Sequence, residues 1–351
     1  MKIALITGSC GLVGAESVEF FISKKFKVIG IDNNLRKFFF GNDGSTSWMK
    51  NYLINKYKNK YIHVNADIRK LSELEKIFKI YNNKIKLIIH SAAQPSHDWA
   101  ASNPEIDFDV NAKGTLNMLN LSKKYLQKKI PFIFMSTNKV YGDNPNKIKT
   151  IESKSRFDLK KKHNYYKGIN DSMSIDKCTH SFFGASKLSA DVMVQEYGLN
   201  FGMNTVCFRA GCITGSKHSG AKLHGFLSYL VKKCTLEKKY TVIGYKGKQV
   251  RDNIHSLDLV NCFWEFYKNP KKGKVYNIGG GRYSNCSVIE ALNLVEELTN
   301  TPIKKIITKK PRVGDHIWYV SNLKKFKSHY PNWKQKYNTK KILEEIIDTH
   351  K

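Results

Sequence analysis

The chain has 351 residues, 41% of them hydrophobic and 25% charged, and a formal net charge of +31. That length buries a substantial core and fits one and a half to two domains. No apolar run approaches the ~20 residues of a membrane span, Met1 leads straight into a strand with no room for a signal peptide, and seven scattered cysteines without a C-x-x-C pair exclude a disulfide scaffold and a structural zinc, so a soluble cytoplasmic protein is expected.

Of the 60 basic residues only seven are arginine (Arg36, Arg69, Arg156, Arg209, Arg251, Arg282, Arg312), which leaves 53 lysines spread along the chain. A nucleic-acid footprint would cluster Arg and Lys on one element with aromatics between them, so no nucleic-acid partner is expected. The charge predicts instead a positive field that speeds encounter with a small anion.

Lys2 to Ile6 is an apolar run of strand length. Thr7 to Gly14 follows with glycines at positions 8, 11 and 14, then a helical run to Lys25, then a second apolar run, Phe26 to Ile31, ending in Asp32. Strand, glycine turn, helix, strand and acid make a βαβ unit of the kind that binds a dinucleotide. The glycines let the backbone approach a pyrophosphate, which meets the free N–H groups at the start of the helix. Gly8, Cys10, Gly11, Leu12, Val13 and Gly14 are therefore candidate cofactor contacts. Asp32, with Asn33 and Asn34 after it, is placed to accept hydrogen bonds from the adenosine ribose and to repel a 2′-phosphate, which favours NAD. Arg36 leaves NADP disfavoured without excluding it.

Asn33 to Lys60 has no clean period and reads as a loop and short helix over the cofactor. Tyr61 to Asn65 is a short strand, beyond which Asp67, next to Ile68, is placed to accept from the adenine amino group. Leu71 to Tyr81 has helical spacing. Leu87 to His90 is a buried strand, and the small residues Ala92 and Ala93, followed by Gln94, let the chain pass close to ribose and nicotinamide. Pro104 to Gln127 reads as one long helix carrying Asn111. Phe132 to Met135 is another buried strand, and Ser136-Thr137-Asn138-Lys139-Val140-Tyr141-Gly142 leaves it at the end where ligands sit in an open α/β sheet. Asp158 to Thr179 reads as a loop, His180 to Lys187 opens the helix Leu188 to Phe201, and Thr205 to Arg209 is the next strand.

This alternation predicts an α/β fold, a Rossmann-type doubly wound parallel sheet over residues 1–210. Past Ala210 the pattern breaks. Ile213 to Leu223 is a Gly-rich loop, His224 to Cys234 a helix, Thr241 to Gly244 with Lys246 to Asp252 a short hairpin, and Leu257 to Tyr267 and Ser287 to Thr299 are amphipathic helices. Residues 211–351 read as a smaller substrate-binding region interleaved with the last Rossmann elements.

The G-x-x-G-x-x-G turn, the run Ser136 to Asp143, the segment Gly247-Lys248-Gln249-Val250-Arg251-Asp252 and the run Tyr276-Asn277-Ile278-Gly279-Gly280 resemble the extended short-chain dehydrogenase/reductase family. Within it they look most like the CDP-paratose 2-epimerase (tyvelose epimerase) branch of nucleotide-sugar epimerases, over nearly the whole chain. The resemblance implies tightly held NAD, a nucleoside-diphosphate sugar as substrate, epimerisation at C2 by transient oxidation to a ketone, and a homo-dimer or homo-tetramer. It places Asn111 near the active site, makes Ser136, Thr137 and Lys187 part of the catalytic and nicotinamide site, and makes Asn138, Lys139, His180, Arg251 and Arg312 substrate contacts. A nucleotide-sugar dehydratase or reductase of the same fold is the alternative.

Taking hydride from a sugar alcohol requires a base for the hydroxyl proton. In this family that base is the tyrosine of a Tyr-x-x-x-Lys motif. Thr137 and Lys187 occupy the hydroxyl and lysine positions, but the tyrosine position is Phe183, and a benzyl group cannot accept a proton. His180, Tyr165, Tyr166 and Cys178 in the adjacent loop, and His97, His218, His224 and His316 from other loops, remain as alternative bases. So do a relay from Thr137 to water and a protein that binds NAD and a nucleotide sugar with little turnover. No H-E-x-x-H pattern or carboxylate-rich cluster suggests a metal.

Overall fold

A computed structural model describes residues 2–217, 225–309, 311 and 314–349. Seven runs rich in Ile, Val and Phe pair in parallel. They are Ile3–Thr7 (β1), Lys27–Ile31 (β2), Tyr61–Val64 (β3), Ile85–His90 (β4), Phe132–Thr137 (β5), Thr205–Ala210 (β6) and Lys274–Ile278 (β7). Their order is β7-β6-β5-β4-β1-β2-β3. Strands with nearly continuous apolar sequence need cover on both faces, and the helices supply it. Ala4, Ile6 and Val28 share a core with Val18 and Phe21 of the Leu12–Ser23 helix and with Leu259 and Phe263 of the Ser256–Lys268 helix. Ile3, Leu5 and Ile29 face the opposite way, onto Leu74 and Phe78, Met118 and Leu119, and Ala190 and Val194 of the Leu71–Tyr81, Gly114–Tyr125 and Ser181–Leu199 helices.

The strand order reverses between β1 and β4, where Thr7 is aligned with both Ile31 and His90. In an open parallel sheet this is where the strand ends part and a ligand can enter. The last strand, β7, comes from beyond residue 211 and pairs with β6 along its whole length. A third core joins the Phe226–Glu237, Val288–Thr299 and Thr339–Asp348 helices to the strand Lys239–Ile243, along which the exposed strand Lys304–Thr308 pairs in parallel. Ser287 and Glu290 start the Val288–Thr299 helix with reciprocal capping hydrogen bonds. Among the described residues no helix is long and apolar enough to cross a membrane.

Several elements differ from the sequence reading: residues 33–60 hold two helices, Leu35–Phe40 and Ser47–Tyr57, and the loop expected from Ile213 begins in the strand Cys212–Thr214. The long helix from Pro104 is interrupted by a π turn at Asp109–Lys113, which holds Asn111, and it ends at Tyr125. The hairpin expected over residues 241–252 does not form. Lys239–Ile243 pairs in parallel with Lys304–Thr308, while Val250–His255 pairs with Cys212–Thr214, Asn285–Ser287 and Trp318–Tyr319. Gly244, Tyr245, Lys246 and Gly247 all have positive φ, and the turn they make leads to strands that find distant partners.

Candidate active site

Gly8 leaves β1 with φ +67°, and its N–H donates to the Ile31 carbonyl at 2.8 Å. A Cβ here would stand 2.8 Å from the Ala92 nitrogen, and one on Gly14 would stand 2.0 Å from the Gly8 carbonyl oxygen. Only bare backbone fits at these two positions, because the start of the helix packs directly on the turn. Asp32, at the end of β2, accepts from the N–H of Cys10 at 3.0 Å and of Asn34 at 2.8 Å. Burial raises its pKa, and those two N–H groups oppose the rise.

Two adjoining hollows open at the strand ends. The smaller is lined by Gly8, Gly11, Asp32, Asn33, Arg36, Asp67, Ile68, Ala92 and Ala93, among others. The larger, a cavity of about 440 Å³, is lined by Gly8, Cys10, Leu12, Val13, Gly14, Arg36, Ala93, Ser136, Thr137, Asn138, Lys139, Lys187 and Arg251. A glycine cradle with an acid at the next strand end, opening into a long cleft, fits an adenine dinucleotide. Arg36 lies with its guanidinium 4.7 Å from the Phe40 ring, and burial lowers its pKa to about 10. Asp67 holds Arg69 at 2.6 Å, which keeps its carboxyl below the usual range although burial pulls the other way.

Four expected contacts are placed elsewhere. Asn34 is a loop clamp whose amide takes the Thr46 N–H and donates to Ser45 and Ser47. Gln94 and Asn111 are buried and line neither hollow. Asn111 accepts from the Gln94 N–H at 3.0 Å and donates to the Gln94 carbonyl, Asp107 and Ser186, so it braces the strap that carries Ala92 and Ala93. His180 turns to the Val140 carbonyl at 3.0 Å and to Cys178. Arg312, like His218 and His224, lies outside the described residues.

At the far end of the cavity Thr137 accepts from the Lys139 N–H at 3.2 Å. Ser136 donates to Asp191, which also holds Arg209 in a buried ion pair at 2.7 Å. Lys187 donates to the Met135 carbonyl at 2.7 Å and sits 4.1 Å from the Phe134 ring centroid. Burial pushes its amine down to about 8, against the pull of Asp191. Arg251 pairs with Asp315 and donates to the Val250 carbonyl. Asp315 lines the cavity too; the run Pro311 to Asp315 signalled it only as the neighbour of Arg312.

Phe183 lines the same cavity, its ring meeting that of His97 edge-on at 5.0 Å. Of the other bases considered, His97 alone among the described residues reaches the cavity wall. Burial, with Lys139 adding to it, lowers its pKa to about 3. His316 is buried, bonded to the Gly142 carbonyl and held far below the usual imidazole range. Tyr165 and Tyr166 pack on a separate core around Trp318.

The model of the NAD dependent epimerase/dehydratase family matches residues 4–279. Among curated proteins, CDP-paratose 2-epimerase of Salmonella typhi is 30% identical over 99% of this chain and 98% of its own length. The dTDP-glucose 4,6-dehydratase of Salmonella typhimurium is 28% identical over 92% of this chain and 82% of its own. Among solved structures, UDP-glucose 4-epimerase from Bifidobacterium longum in complex with NAD+ and UDP superposes with a TM-score of 0.79 at 22% identity, covering 99% of this chain and 98% of that one. A tyrosine-to-phenylalanine mutant of UDP-glucuronic acid 4-epimerase from Bacillus cereus, solved with a fluorinated UDP-sugar and NAD, superposes with 0.78 at 20% identity over 99% and 98%.

Proposed function

Because this chain belongs to the NAD dependent epimerase/dehydratase family and uses NAD, we propose that it epimerises a nucleoside-diphosphate sugar at C2 through a transient ketone. One observation carries this reading: a single cavity wall runs from Gly8 and Gly14 past Thr137 and Lys187 to Arg251. The choice of C2 rests on the near full-length similarity to a CDP-paratose 2-epimerase.

In this reading the backbone from Gly8 to Gly14 and the helix after it hold the pyrophosphate. Asp32 takes the adenosine ribose, and Asp67 and Ile68 flank the adenine. Bound NAD supplies reversible acceptance of a hydride at the sugar carbon. Thr137 orients the reacting hydroxyl. Lys187, fixed by the Met135 carbonyl, keeps a positive charge or a polar N–H beneath the site. Arg251 offers its planar fork to the substrate diphosphate, with Asp315 setting its orientation.

Phe183 favours a second reading, a protein that binds both ligands without turnover. Purified protein incubated with a panel of CDP-, GDP-, UDP- and ADP-sugars separates the two. The epimerase reading expects retained NAD and a new epimer of one panel member by NMR. Bound NAD with every sugar unchanged would support the binder, and the absence of bound NAD would contradict both.

A further inference from the structure

With Phe183 at the tyrosine position, the sugar hydroxyl needs another proton acceptor, and among the described residues four imidazole or amine bases line the cavity: His97, Lys139, Lys187 and Lys217, the last held in ion pairs by Glu16 and Glu19. Lys187 is 3% exposed and spends an N–H on Met135 behind the wall. His97, with a pKa near 3, holds a proton too weakly to serve near neutrality.

Lys139 is different. Its backbone N–H is tied to the Thr137 hydroxyl, and its amine donates to the Gly314 carbonyl at 2.7 Å and meets Nδ1 of His316 at 3.4 Å. His316 Nε2 faces the Gly142 carbonyl at 2.8 Å. A carbonyl only accepts, so Nε2 is assigned the proton and Nδ1 is left as a bare acceptor. Both neighbours of the Lys139 amine are therefore acceptors. They satisfy two N–H bonds whether the group is an ammonium or an amine, which leaves one position for the cavity: an N–H when charged, a lone pair when neutral. An acid–base group requires that freedom to exchange without breaking its supports. Gly314 also joins Lys139 to the Phe183 side, since a Cβ there would stand 2.7 Å from Nδ1 of His97, which packs on Phe183. Among the described residues, the charged and titratable groups around the amine are Arg251, Asp315, Cys212, His97 and His316. Burial and Arg251 outweigh Asp315 and lower its pKa to about 8.

We propose that Lys139 is the acid–base residue of this enzyme, doing the work that a tyrosine does in its relatives. This rests on the epimerase reading above. The reacting carbon gives up its hydrogen with the bonding electron pair to NAD, which is reduced to NADH, while the hydroxyl proton moves to the Lys139 lone pair and the C=O bond forms. In the return half the electron pair and hydrogen come back to the opposite face of the carbon, and Lys139 returns its proton to the oxygen.

The test is competitive acetylation of the NAD-loaded protein with acetic anhydride across pH, read peptide by peptide by mass spectrometry. It is paired with turnover of Lys139→Met, Lys139→Arg and the double variant Lys139→Met with Phe183→Tyr. Lys139 is expected to become reactive with a midpoint near pH 8, while surface lysines follow near ~10.4. Both single variants are expected to keep NAD and to lose about 10²–10⁴-fold in kcat. Arginine keeps the charge but cannot give up its proton, and the double variant recovers turnover. Lys139 titrating with the surface lysines, or Lys139→Arg at the wild-type rate, overturns the proposal. A wild-type protein inert toward the whole sugar panel contradicts the epimerase reading itself, whatever the acetylation midpoint.

Discussion

At Gly14 the limit is backbone against backbone: a methyl group would meet the Gly8 carbonyl at 2.0 Å, and neither partner is a side chain that can turn away. Gly14→Ala is therefore expected to lower stability by about 1–3 kcal/mol through overpacking and to release NAD. At Gly11 the same methyl group would stand 3.4 Å from that oxygen, so Gly11→Ala should retain most of the NAD. Denaturation midpoints and the dinucleotide content after gel filtration check both, and equal losses would contradict the packing argument. These glycines and Asp32 were legible in the sequence because their spacing and the adjoining strands are local. The true surroundings of Asn34, Gln94, Asn111 and His180 were not. Asn34 and Gln94 are held by loop partners 2 to 17 residues away, and Asn111 and His180 also by Ser186 and Val140, farther along the chain, with no regular spacing to announce any of them. Phe183 was legible as a missing base, whereas the two acceptors that support Lys139 lie 175 and 177 residues away from it.

Elements are joined by buried polar contacts as well as by apolar cores. His90, at the end of β4, links Thr7 on β1 at 2.7 Å to Thr115 on the Gly114–Tyr125 helix at 3.0 Å. Burial lowers its pKa from 6.5 to about 3. As pH falls through that window the unfolded chain takes up a proton that the folded one refuses, so stability drops by up to about 1.4 kcal/mol per pH unit. His97 acts in the same direction. His90→Gln should flatten the fall of the urea midpoint between about pH 6.5 and pH 4, and an unchanged slope would show that His90 is not the group responsible. The π turn at Asp109–Lys113 is a second such joint, since it turns Asn111 onto the Gln94 backbone. Asn111→Ala strands a buried N–H and a carbonyl, so a loss of about 1–3 kcal/mol is expected, with weakened NAD retention that a titration would register. Periodicity located most helices within a few residues. It could not foresee the π turn, or that the strands at 239–243 and 250–255 pair with segments distant in sequence, because pairing between distant segments, parallel or antiparallel, leaves no local turn signature.

Over the whole molecule the net charge of +31 surrounds a cleft whose lining includes Arg36, Lys139, Lys187 and Arg251. A diphosphate approaching it is attracted at long range, and salt screens that attraction over about 10 Å at 0.1 M. For whichever nucleoside diphosphate of the CDP, GDP, UDP and ADP set binds, the association rate measured by stopped flow should fall about tenfold from low salt to 0.5 M, while its dissociation rate changes little. A salt-independent association rate would remove the steering argument. The parallel sheet with helices on both faces, and a ligand site at the ends of its strands, were foreseeable from alternating strands and helices.

In the proposed epimerisation one sugar carbon is oxidised and reduced within this cavity by the same bound NAD. Turnover of the nucleotide-sugar panel in deuterated water, with the product read by NMR and mass spectrometry, tests it most directly. An epimer whose inverted carbon carries no solvent deuterium is expected, because the hydrogen that left is the one that returns. Deuterium at that carbon would mean enolisation, and would contradict epimerisation through direct oxidation.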